Sequence, residues 1–178
     1  MDAYYSPALE AAAAEIEAHV GQAGWDLRPS LFALVRADQF ASEEPEAAAR
    51  LGLGASVGEA LTPIEQDDLP TGALDEMLAQ IAWPDSVAGC ALSQEIVLLP
   101  PSAEAEIPEI LDGSSLAAVA DHPDRREARL VVAVLRDGTS AAVLRLRSTS
   151  TAPQDADDLL TGPDLAPNLV RALRATLA

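Results

Sequence analysis

The sequence predicts an α+β domain: a mainly antiparallel sheet of about four strands with helices packed against it. Three observations predict it. Residues 128–147, ARLVVAVLRDGTSAAVLRLR, place β-rich runs on either side of Asp137-Gly138, a preferred hairpin pair. Helical patterns open and close the chain. Between them the order is strand, helices, strand and hairpin, which is the layout of an α+β fold.

Each element has its own local signal. In residues 6–20, Ser6 is placed to cap a helix and Pro7 fits its first position. Leu9, Ala13, Ile16 and Val20 then share one face, and Gly21 and Gly24 end the helix. LFALVRA, residues 31–37, is short and apolar and reads as a strand. A short helix with an acidic first turn is expected across 44–51. Ser56 with Glu59, and Thr62 with Glu65, match the capping-box pattern and predict helical turns.

Residues 73–82 predict a helix that Pro84 stops, because the residue before a proline avoids the helical region. Residues 87–99 predict a strand. Residues 99–110 read as a loop, with a helical turn at 114–120, and 148–158 as a polar linker. Residues 163–178 close the chain as a helix striped by Leu165, Leu169, Val170, Leu173 and Leu177. In the hairpin both alternations of 130–135 are apolar, so its first strand is expected to be central and covered on both faces.

Bulk properties limit what such a domain can do. A chain of 178 residues reads as one domain and buries a core without disulfides or metals. Aromatics are 3% of it, so the core rests on Leu, Val and Ala. There are 29 acidic residues against eleven arginines and no lysine, a net charge of −18. That field repels polyanions, which argues against nucleic acid and anionic lipid as partners. A single cysteine excludes an intrachain disulfide and suits a reducing cytoplasm. The N-terminus has an early acid and no basic region before an apolar stretch, so no signal peptide is expected. No apolar run reaches the length of a membrane span.

Motifs for chemistry are sparse. Cys90 alternates with Leu92, Ile96 and Leu98 and reads as a core residue; only His19 and His122 could serve it as a base. Two separated histidines and one cysteine do not make a zinc set. Asp155, Asp157 and Asp158 lack the turn glycine and distal glutamate of a calcium loop. GLGAS at 52–56 lacks the lysine and preceding strand of a phosphate loop. No metal, cofactor or catalytic residue is expected.

One asymmetry stands out. Arg125, Arg126, Arg129, Arg136, Arg145 and Arg147 concentrate basic charge around the hairpin of an acidic chain. Across a two-residue turn, Arg145 and Arg147 would share a face with Leu130, Val132 and Val134. Such arginines either pair with the chain's own carboxylates or form a site for an anion or an acidic partner segment. His122, Arg125, Arg126, Arg145 and Arg147 are the candidate anion or partner site.

Five segments together carry a family resemblance: GWDLRPSLFALV (24–35), LTPIEQDDLP (61–70), IAWPDSVAGCAL (81–92), residues 122–147 and GPDLAPNLVRAL (162–173). The chain resembles a family of acidic actinobacterial proteins known by a Propionibacterium locus-tag name. The resemblance spans nearly the whole chain. It implies a single compact α+β domain of cytoplasmic origin and transfers no activity, cofactor or catalytic position. The expected function is therefore non-enzymatic protein–protein contact, as an adaptor or chaperone-like domain, with another protein or a second copy as partner. The alternative is a small-anion binder or enzyme with its site near His122 and the arginines.

Overall fold

A computed structural model describes residues 6–50, 60–67, 69, 72–98, 126–147, 159–162 and 165–178. The elements in chain order are α1 (Pro7–Gly21), β1 (Ser30–Arg36), α2 (Ala37–Glu43), α3 (Pro45–Arg50), β2 (Leu61–Glu65), α4 (Leu74–Ala79), β3 (Gly89–Leu98), β4 (Arg126–Leu135), β5 (Ser140–Leu146), β6 (Leu159–Thr161) and α5 (Pro167–Thr176). The expected segments at 56–59, 99–110, 114–120 and 148–158 lie outside the described residues, in whole or nearly so.

The α+β class is as expected, but the sheet has six strands rather than about four, in the order β2-β1-β3-β4-β5-β6. Every pairing is antiparallel. The two additional strands are the edges. Thr62 and Glu65 sit in β2, not in a helical turn. A capping-box spacing is satisfied by many sequences. Here Leu61 is buried under α1, and the chain pairs with β1 instead. β6 is only three residues long, too short to show a period in sequence. The expected helix at 44–51 is α3, and a further short helix, α2, precedes it.

Both faces of the sheet are covered. On one, Leu9, Ala13, Ile16 and Val20 of α1 pack over Phe32, Leu34, Ala91, Val131, Ala133 and Val143. The Ser6 hydroxyl accepts the Leu9 N–H at 3.2 Å, which satisfies one orphan donor of that helix. On the opposite face, Met77 and Leu78 of α4, Val170 and Leu173 of α5 and Leu177 just past its end cover Cys90, Leu92, Leu130, Val132 and Val134. The central strands β3 and β4 are thus buried on both sides, which explains the unbroken apolar run of 130–135.

The hairpin corrects one expectation. Its loop has three residues, Arg136–Gly138, not two. Gly138 N–H donates to the Leu135 carbonyl at 3.0 Å, and Leu135 N–H to the Thr139 carbonyl at 2.9 Å. Gly138 takes φ 97°, the left-handed position of a bulge that only glycine enters freely. Asp137 accepts the Thr139 N–H at 2.8 Å and steadies the turn. The extra residue shifts β5 by one, and a one-residue shift sends every side chain to the other face. Arg145 therefore lies opposite Arg129, on the α1 face, rather than beside Leu130.

Cys90 is fully buried between β3 and α5. Its Sγ lies 3.6 Å from the Thr176 hydroxyl, which also accepts the Trp83 indole N–H at 3.0 Å. Burial pushes the thiol up to about 11, against the smaller opposing effect of the hydrogen bonds from Thr176 and Trp83. A neutral, enclosed thiol is a packing group, not a nucleophile. Arg136 closes the same end of the molecule. It donates to the carbonyls of Val87 (2.8 Å), Pro84 (2.9 Å) and Leu177, so a cation sits at the C-terminus of α5.

Two outcomes follow from this packing. The folded thiol holds its proton to about pH 11, whereas the unfolded thiol loses it near its ordinary value. Stability should be unaffected by this group below that ordinary value. It should then fall by about 2–3 kcal/mol as pH rises through the window, and level off above it. Urea unfolding of wild type and Cys90→Ala across this range checks it; the variant should lack this component. A Cβ at Gly89 would strike the Val134 carbonyl and the Leu135 side chain. Gly89→Ala should cost about 3 kcal/mol, read as a lower urea midpoint with unchanged slope.

Candidate functional site: the arginine and carboxylate cluster under the first helix

The cluster begins with a conflict inside α1. Glu17 is four residues from Ala13 and three from Val20, so the helix turns it toward the core. It is 2% exposed. An isolated carboxylate there would cost several kcal/mol. Two guanidiniums from the sheet offset that cost. Arg129 of β4 reaches Glu17 Oε1 at 3.3 Å. Arg145 of β5 grips both oxygens, Nε to Oε1 at 2.6 Å and Nη2 to Oε2 at 3.1 Å. Such a two-pronged contact is the strong form of the pair.

Arg129 is itself 1% exposed. Its Nη2 donates to the Gly24 carbonyl, and its guanidinium carbon lies 4.5 Å from the centroid of the Trp25 ring. Its Nε has no hydrogen-bond partner, an uncompensated cost of about 1–3 kcal/mol. Gly21 makes room for this side chain: a Cβ there would sit 3.1 Å from Nη1. Arg147 flanks the same indole, 5.4 Å from its centroid. It pairs with Asp26 at 3.1 Å and Glu127 at 2.7 Å. The Arg147 guanidinium is held above its usual range, first by its hydrogen bond to Asp26.

The loop after α1 is held from a third strand. Glu95 of β3 accepts the N–H groups of Asp26 (2.9 Å) and Leu27 (2.6 Å). Asp26 has φ 64°, a left-handed position that its short polar side chain tolerates. Four carboxylates and three guanidiniums thus tie α1, the loop at 22–29, β3, β4 and β5 into one unit.

Of the sequence-derived site residues, Arg145 and Arg147 come together here, each on carboxylates of the chain itself. Arg126 opens β4 as the register partner of Leu98. His122 and Arg125 lie outside the described residues. Glu17, Trp25 and Arg129 are central to the cluster, and none of the three belongs to the candidate site expected from sequence. The available signals were a glutamate on an apolar helix face and an arginine in phase with Val131 and Ala133. Among the described residues, no group of three or more His, Cys, Asp or Glu is arranged to hold a metal ion. No helix there is long and apolar enough to cross a membrane.

These features define an α+β protein with one antiparallel sheet between helices and an ion-pair network built into one face. The chain belongs to the PPA1309-like protein family, whose model matches residues 9–178. No curated protein and no solved structure matches it.

Removing the carboxylate should leave the buried Arg129 and the half-buried Arg145 guanidiniums facing each other. Glu17→Gln should cost about 3–5 kcal/mol. Arg145→Gln should cost less, because Arg129 still balances Glu17. Urea unfolding of both single variants and the double variant should give a coupling of at least about 1 kcal/mol between Glu17 and Arg145.

Proposed function

We propose that the protein works through contact with other proteins, as a non-enzymatic interaction domain of adaptor or chaperone-like kind. The observation that supports this reading is the difference between the two edges of the sheet. Gln66 N–H donates to the Leu31 carbonyl, and Ala37 N–H to the Ala60 carbonyl. This parity turns the backbone of Thr62 and Ile64 toward β1 and that of Pro63 outward. Pro63 has no N–H to offer there, so the edge is blunted against strand addition.

Among the described residues, the β6 edge lacks such a guard. Gly162 N–H donates to the Ala142 carbonyl, so the backbone groups of Leu159 and Thr161 point outward. Leu160 is 48% exposed and Leu165, which leads into α5, 41%. An extended segment laid along β6 would gain main-chain hydrogen bonds and cover these leucines. The strand itself carries no charge, so it offers contact without local repulsion. The rival reading, an anion held by Arg145 and Arg147, requires the ligand to displace Glu17, Asp26 and Glu127.

The double substitution Leu160→Lys, Leu165→Lys should leave stability within about 0.5 kcal/mol of wild type, because both side chains are exposed. It should abolish recovery of cross-linked partners from native lysate, and of cross-linked dimers of the pure chain. Equal recovery by variant and wild type would overturn the reading.

A further inference from the structure

We infer that a cleft at the β1–β2 edge binds a small zwitterion: an amino acid or short peptide with a free ammonium group, a free carboxylate and an apolar side chain. Two cavities, about 680 Å³ and about 500 Å³, share Arg28, Ser30 and Glu65 in their walls. Each volume is in the range of ordinary ligand sites, roughly 300–1,000 Å³. Antiparallel pairing creates the cleft. It sets the start of β1 beside the end of β2, with Gln66 N–H bonded to the Leu31 carbonyl at 2.9 Å. One lobe runs toward Leu69, Leu74 and Met77 on the α4 side. The other runs beneath the end of α1, toward His19, Val20 and Leu27.

The polar groups of the cleft carry both signs. Arg28 is exposed and makes no hydrogen bond or ion pair with any described residue. Among the described residues nothing occupies this guanidinium fork, which suits a carboxylate. Asp67 is likewise exposed and unpaired among the described residues. Among the described residues Glu65 is engaged only by His19, at 3.6 Å, and both are largely exposed. The Gln66 amide nitrogen donates to the Ile64 carbonyl, and its oxygen accepts from no described residue, so it can accept from an ammonium group. A simple anion meets repulsion from Glu65 and Asp67. A simple cation meets Arg28. A ligand with both charges satisfies both, while the Leu69, Leu74 and Met77 lobe takes its apolar side chain. This cleft lies at the opposite edge of the sheet from β6, so it stands apart from the contact surface proposed above.

The test is titration of the full-length chain with Leu-Leu dipeptide and with free leucine, followed by amide NMR. Saturable shifts are expected at Ser30, Gln66 and Gly72, with the indole signals of Trp25 and Trp83 unmoved. The tighter of the two ligands identifies peptide or free amino acid as the source. The N-acetylated and C-amidated dipeptides should each bind at least about tenfold more weakly, about 1.4 kcal/mol. Arg28→Gln should weaken the free and acetylated dipeptides by about tenfold and leave the amidated one unchanged. Asp67→Asn should weaken the free and amidated forms and spare the acetylated one. No saturable shift with either ligand to about 10 mM, far above a 1 mM dissociation constant, would overturn the proposal. So would equal binding of capped and free forms.

Discussion

The buried carboxylate of Glu17 is the constraint on which the α1 face depends. A charge at 2% exposure persists only if its partners arrive with it. Arg129 and Arg145 come from adjacent strands and meet it only in one strand register. They also require α1 to sit at one rotation over the sheet. The same Arg129 reaches the Gly24 carbonyl and the Trp25 ring, so the loop leaving α1 is oriented by the pair. A purely apolar contact of equal area would tolerate sliding; this one does not, because a displaced partner leaves a bare charge. That is a specificity argument more than a stability one, since the desolvation of three charged groups offsets much of their attraction.

The opposite face solves its packing differently. There α4 and α5 cover the sheet with Leu, Val and Met, and the polar groups sit at one end. Trp83, Thr176 and Cys90 form a short chain of contacts, and Arg136 satisfies carbonyls at the end of α5. Both faces therefore use arginine, but to different ends. Arg129 is a buried counter-charge. Arg136 is a cap that keeps one side toward solvent.

Much of the fold is legible in the chain because it rests on local chemistry. Ser6 and Pro7 begin α1 where the capping pattern places them. Cys90 lies with Leu92 and Ile96 on the α5 side, as the alternation of β3 requires. The edge strands were not legible. β2 carries a capping-box pattern that its pairing overrides, and β6 is too short for a period. The cluster was half legible: the crowding of arginines at the hairpin was visible, whereas the face they occupy was not. A two-residue and a three-residue turn at Asp137-Gly138 read alike in sequence, yet they send Arg145 and Arg147 to opposite sides of the sheet.

Local chemistry along the chain sets the class of fold, the central hairpin, the capped first helix and the apolar alternation of β3. These follow from side-chain periodicity and from the backbone preferences of Ser, Pro and Gly, which act within a few residues. Tertiary structure alone decided that Glu17 is buried and which arginines answer it. It also decided that Pro63 faces outward at one edge, and that Arg28 and Asp67 share a cleft. Each of these depends on residues far apart in the chain being brought together. Charge pairing, unlike helix or strand propensity, has no meaning until the distance between the partners is set.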